Sequence, residues 1–107
     1  MLTEQQLLET AARIAARASK PARVILFGSY ALGEADEGSD IDLLVIERDF
    51  EDEAAEYLRL REAVGQVGVG VDLLLTTERE FDRRSQVRGT VHYWAKNTGR
   101  VLYDAAA

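Results

Sequence analysis

The stretch "GSYALGEADEGSDIDLLV", residues 28–45, sets Glu34, Asp36, Glu37, Asp40 and Asp42 ahead of and inside an apolar strand. Carboxylates beside a buried segment repel one another and resist dehydration. Either they face water or something compensates them. Side chains alternate along a strand, so Asp40, Asp42 and Leu44 share one face while Ile41, Leu43 and Val45 take the other. Two carboxylates therefore project together from the start of a strand whose opposite face is fully apolar.

The flanking sequence supplies the rest of the fold. Upstream, "RVILF", 23–27, is a short apolar run between breakers and reads as a buried strand. Gly28-Ser29 follows it as a glycine-bearing turn that opens a short helical segment. The second strand is "IDLLVIE", 41–47. The third is "VGVGVDLLL", 67–75, with Val67, Val69, Val71 and Leu73 on one face and Gly68, Gly70, Asp72 and Leu74 on the other. Asp72 is thus an isolated acid within an otherwise apolar strand, expected to be buried.

Helical segments alternate with these strands. Thr3 and Gln6 read as a capping box ahead of a helix near 4–18, which Pro21 ends. Asp49 to Glu62 reads as a helix with Phe50, Ala54, Tyr57, Leu58 and the Arg61 stem inward. Thr77 and Glu80 form a second capping-box candidate. The helical pattern then runs to Asn97 with a break around Ser85, its apolar stripe being Val87, Val91, Trp94 and Ala95. Gly99 closes it, and "VLYD", 101–104, reads as a short edge strand. The order predicts an α+β, α/β-like domain in which helices flank a small mixed sheet, with the strand order left open.

Bulk properties bound the function. A length of 107 residues predicts one domain over 1–107. No cysteine is present, which excludes disulfides and thiolate metal sites and suits a cytoplasmic home. No apolar run approaches the roughly 20 residues that span a bilayer, and the acids near the N-terminus argue against a signal or transit peptide. The net charge of −6 opposes general nucleic-acid binding but not capture of a divalent cation.

If the second and third strands are neighbours, Asp72 approaches Asp40 and Asp42. Three carboxylates about 4 Å apart repel by about 4 kcal/mol per pair at an effective dielectric of ~20. Some must then be protonated, or cations must sit among them. Oxygen-only donors favour Mg²⁺ or Mn²⁺, and two such ions roughly 3.5–4 Å apart form a clamp for phosphoryl chemistry. Gly28 lets backbone approach a ligand closely, and the Ser29 hydroxyl can donate to a phosphate oxygen. An Asp-x-Asp or a Gly-Ser alone is weak; their spacing around two strands carries the reading.

The other polar features read as surface. Arg84, Arg88, His92 and Lys96 fall four apart and would share one solvated helical face, without a catalytic role for His92. Tyr93 and Trp94 read as core or partner surface rather than as a base-stacking platform. The charges of "FEDEAAEYLRLRE", 50–62, read as a solvated face with Glu56–Arg59 attraction.

The quoted stretch resembles the motif of the polymerase-β-like nucleotidyltransferase superfamily: Gly-Ser, ten residues, Asp-x-Asp, and a third acid on a later strand. The short length resembles the minimal, MNT-type members, and the likeness runs from "VILFGSYA" to "GRVLYD". The resemblance implies a palm-like mixed sheet, Asp40 and Asp42 as ligands of two Mg²⁺ ions, and Asp72 as a third acid that shares the catalytic ion and helps activate the attacking hydroxyl. Gly28 and Ser29 would hold the nucleotide phosphates. The implied reaction moves a nucleoside monophosphate from a nucleoside triphosphate, with ATP foremost, and releases pyrophosphate. Minimal members commonly accompany a HEPN-type RNase toxin, which implies an antitoxin role in a hetero-oligomer and a partner tyrosine as acceptor. One departure stands out: many relatives have Arg where this chain has Leu32, which keeps open a catalytically weak module that neutralises its partner by contact.

Overall fold

The computed structural model describes residues 1–107 and contains one four-stranded mixed sheet with helices on both faces. Helix α1, Glu4–Arg17, starts with the expected capping box: the Gln6 N–H donates to Thr3 Oγ1 at 3.1 Å, and the Thr3 N–H donates to Gln6 Oε1 at 2.8 Å. Strand β1, Pro21–Phe27, leads through Gly28 into the short helix α2, Ser29–Leu32. Strand β2, Ile41–Glu47, has the expected bounds.

Helix α3, Glu53–Val64, begins later than the charge pattern suggested, because the Asp52 side chain caps it by accepting the Ala55 N–H at 3.1 Å. Its core residues are Leu60, Ala63 and Val64, whereas Leu58 points to solvent at 64% exposure. The expectation that Leu58 faces inward was off by part of a turn.

Strand β3 is Val71–Thr77, four residues shorter at its start and two longer at its end than expected. Gly68 takes a positive φ of 87°, so the valine-glycine alternation over 67–70 forms a turn and not a ladder. Thr77 then caps helix α4, Glu78–Arg84, by accepting the Glu80 N–H at 3.2 Å. The box is not completed there, since Glu80 turns its carboxylate to Arg83 at 2.7 Å and Arg84 at 2.9 Å. Gly89, with φ of 90°, and the capping residue Thr90 separate α4 from helix α5, Val91–Thr98. The helical pattern is therefore split, and Arg84, Arg88, His92 and Lys96 do not share a helical face. Strand β4, Arg100–Asp104, is the expected edge strand.

The strand order is β3-β2-β1-β4, with β2 and β3 parallel and the other pairs antiparallel. Helix α3 makes the crossover that a parallel pair requires. Alternation splits the core. Val24, Leu26, Leu43, Val45 and Leu73 pack toward α1 and α3, and Ile25, Phe27, Leu44 and Ile46 pack with Phe81 of α4 and Ala95 of α5. Central β2 buries every residue but Asp42, which is half-buried. Each such Leu or Ile contributes about 1.5–3 kcal/mol, enough for this strand to carry an acid at its mouth. No helix is long and apolar enough to cross a membrane.

Candidate active site

Of the five acids in the opening stretch, three belong to a self-contained exposed turn. Asp36 Oδ1 accepts the Gly38 N–H at 2.9 Å and the Ser39 hydroxyl at 3.2 Å, and Ser39 Oγ accepts the Asp36 N–H at 2.9 Å. Glu37 meets the N-terminal amine at 3.0 Å, and Glu34 is exposed. These acids face water, as ordinary turn acids do. Asp40 and Asp42 are different.

Register brings a row of three residues together across the sheet: Phe27 of β1 opposite Asp42 of β2, and Asp42 opposite Asp72 of β3. Directly paired residues point to the same face. Asp42 and Asp72 lie side by side across the parallel strand pair. Burial first, then the interaction with Asp72 and the negative charges of Asp72 and Asp40, push the Asp42 carboxyl up to about 6. The crowding that the sequence anticipated thus disfavours ionisation of the central acid.

Asp40 stands just ahead of β2. Its carboxylate lies over the Cα of Gly70, where any Cβ would collide with it, while the Ile41 N–H donates to the Gly70 carbonyl at 3.0 Å. On the other side, a Cβ on Gly28 would collide with the Asp42 carboxylate, and Gly28 also has a positive φ of 74°. Each acid of the Asp-x-Asp pair is seated against a glycine of the neighbouring chain segment.

Two expectations need correcting. Asp72 is exposed rather than buried, because β3 is an edge strand with open space beside it. The three acids also do not close into a group with metal-ligand geometry: Asp42 and Asp72 pair across the sheet, and Asp40 acts on Asp42 by charge while leaning on Gly70. The donor chemistry still suits a hard divalent cation, being carboxylate oxygen throughout with no thiolate and no imidazole beside it. A cation's charge would offset the crowding of these carboxylates, so the set fits Mg²⁺ or Mn²⁺.

Gly28 and Ser29 follow Phe27 at the end of β1, so the glycine-serine turn lies next to the acid row. Leu32 is exposed at the end of α2. The acids line none of the better-formed cavities and stand on an open ledge. His92 is elsewhere, lining a cavity with Thr77, Glu80 and Arg84 at the far end of β3. Burial first, and then the Arg84 charge, hold it below the usual histidine range.

Two neighbours of the site escaped the sequence reading. Gly70 was visible as a member of the Asp72 face, but its role needed the parallel register that puts it beside Asp40. Trp94 read as core or partner surface; its ring makes a T-shaped contact with Phe27, with centroids 6.2 Å apart and planes at 62°.

Comparison with known proteins agrees with this arrangement. The family described as "Nucleotidyltransferase domain" matches residues 8–97. A candidate protein adenylyltransferase of Methanocaldococcus jannaschii is 32% identical over 84 residues, covering 76% of this chain and 77% of that protein. A crystal structure of a candidate nucleotidyltransferase from Sulfolobus solfataricus superposes with a TM-score of 0.68 at 18% identity, covering 96% of this chain and 81% of that one. The structure of a tri-AMPylated Shewanella oneidensis HEPN toxin in complex with MNT antitoxin gives a TM-score of 0.60 at 20% identity, covering 97% of this chain and 75% of that one. At those two identities the structural likeness is one of fold. The family match over most of the chain, together with a Gly-Ser turn set against paired strand aspartates, makes this chain a member of the nucleotidyltransferase domain family.

Proposed function

We propose that this chain transfers a nucleoside monophosphate from a nucleoside triphosphate, ATP foremost, to a hydroxyl group, and that the acceptor is a tyrosine of a HEPN-type RNase partner that the transfer silences. The observation that carries the reading is the pairing of Asp42 with Asp72 across the sheet, beside Gly28, with Asp40 within electrostatic reach. Crowded like charges that disfavour ionisation of their central acid are what a divalent cation would neutralise.

Asp40, Asp42 and Asp72 would hold two Mg²⁺ ions, or Mn²⁺. When bound, such ions offset charge on the transferred phosphorus and on the leaving pyrophosphate. Gly28 and Ser29 would hold the phosphates: the glycine by letting the chain come close, the serine by donating its hydroxyl. The acceptor oxygen forms a bond to the α-phosphorus and the bond to pyrophosphate breaks. The acceptor's proton passes to Asp72, the exposed acid of the row. An open ledge suits an acceptor that arrives on another protein.

The partner assignment draws on two comparisons. The methanogen relative is named for protein adenylylation, and the Shewanella structure holds an AMPylated HEPN toxin on an MNT antitoxin. On this reading residues 1–107 form one catalytic domain that works in the cytoplasm in a hetero-oligomer. Exposed Leu32 favours a second reading, a module that neutralises its partner by contact, because it places no cation at the end of α2.

One experiment separates the two. The chain is incubated with α-labelled ATP, Mg²⁺ and the product of its neighbouring gene, tested first for a HEPN sequence, and label and RNase activity are followed. Label on a partner tyrosine that disappears with Asp42→Ala supports transfer. Neutralisation that persists in Asp42→Ala, with no label in the wild type, supports contact alone.

A further inference from the structure

Helix α5 seats on the sheet through Ala95, which is 1% exposed. Trp94 lies about 100° around the helix from it and overhangs the rim. The indole and the Phe27 ring meet in a T-shaped contact, yet 46% of the residue remains exposed. A tryptophan serving only the core would bury its ring, since its large apolar surface is what makes it worth ordering. Here the small neighbour does the packing, and nearly half of the tryptophan is left open to a ligand.

Its position gives the exposed part a purpose. Phe27 immediately precedes Gly28-Ser29, and its cross-strand partner is Asp42 on the same sheet face. Trp94 therefore stands one side chain away from both the glycine-serine turn and the acid row. A nucleoside triphosphate has a polyanionic end for the turn and the cations, and a flat aromatic end that needs an apolar, stackable surface. The ledge supplies both kinds of surface side by side.

We infer that Trp94, supported by Phe27, is the platform on which the nucleobase of the bound nucleoside triphosphate stacks. The inference rests on the proposed nucleotide transfer and adds the residue that holds the base. Stacking on an indole accepts any base with a π face, so this contact supplies affinity more than base identity.

Trp94 is the only tryptophan of the chain, so emission excited at the indole band reports this one residue. The full chain is titrated with ATP in the presence of Mg²⁺, by calorimetry and by fluorescence, with inorganic tripolyphosphate as the probe lacking a base. The expected result is that ATP quenches the emission and tripolyphosphate leaves it unchanged. Trp94→Leu is expected to bind ATP roughly tenfold or more weakly while keeping its tripolyphosphate affinity within about twofold, and Trp94→Phe to recover most of the loss. Circular dichroism checks the fold of both variants, and the wild-type emission decides should Trp94→Leu not fold. ATP binding with unchanged emission overturns this inference and leaves the proposed transfer standing. No ATP binding by the wild type at all overturns both.

Discussion

Gly28 and Gly70 show how differently two glycines can serve neighbouring acids. At Gly28 a side chain is opposed twice, by the positive φ and by the Asp42 carboxylate. Gly70 has no positive φ, and an added methyl meets only Asp40, an exposed and flexible partner. Gly28→Ala is therefore expected to cost about 1–3 kcal/mol in urea unfolding, and Gly70→Ala less than about 1 kcal/mol. Gly70→Ala should instead weaken Mn²⁺ binding, read by calorimetry, because Asp40 must swing away; equal unfolding costs at the two sites would refute this distinction. Asp42→Asn removes a half-buried carboxyl from a repelling set. It is expected to leave unfolding stability unchanged or higher while lowering AMP transfer by about 100-fold or more.

At the scale of elements, β2 carries carboxyl pairs at both ends. Glu47, five residues or about 16 Å beyond Asp42, is fully buried at the C-terminal end. One oxygen accepts the Lys20 N–H at 3.1 Å, and the other is directed to Glu56 of α3, itself 4% exposed. Glu56 accepts the Ser19 N–H at 2.9 Å and the Ser19 hydroxyl at 2.8 Å, and lies 3.3 Å from Arg59. Burial and the hydrogen bond to Glu56 push the Glu47 carboxyl up to about 7. For Glu56, burial works upward, but the hydrogen bonds from Glu47 and Ser19 and the Arg59 charge outweigh it and lower its pKa. The signs follow from linkage. Glu47 holds a proton when folded that it would release when unfolded above about 4.5, so its contribution is full below that pH and is lost as pH rises toward about 7. Glu56 contributes above its ordinary value and loses that contribution as pH falls below it. Stability should thus decline by on the order of 2 kcal/mol between pH 5 and pH 8, and the decline should flatten in Glu47→Gln. Urea unfolding across that range tests it, and an identical slope in the variant would exclude the pair as its source. Helix α5 depends on its cap: Thr90 accepts the Tyr93 N–H at 3.0 Å, and Thr90→Ala is expected to cost about 1 kcal/mol, measured as a lower thermal midpoint.

For the whole molecule, cation binding at the acid row would couple ligation to folding. A cation that binds the folded chain at 100 times its dissociation constant adds about 2.7 kcal/mol, a sizeable share of the roughly 5–15 kcal/mol that holds such a domain together. Thermal scans are expected to show Mg²⁺ or Mn²⁺ raising the midpoint of the wild type and not of Asp42→Asn; a rise of equal size in both would point to binding elsewhere.

Periodicity and spacing along the chain were enough for the α+β class, the bounds of β2, the Thr3 capping box, the edge strand at the C-terminus and the Gly-Ser and Asp-x-Asp elements of the site. These features are local: alternation, breakers and short-range caps act over a few residues and are written in them. The tertiary structure alone decided that β3 lies parallel beside β2, that Asp72 sits on an open edge, that Asp40 rests on Gly70, and that Trp94 rises beside the row. It also buried Glu47 against Glu56 where the charges of 50–62 read as solvated. Each of these depends on which segments become neighbours, which is set by packing two helical layers onto one sheet, a property no short window of the chain contains.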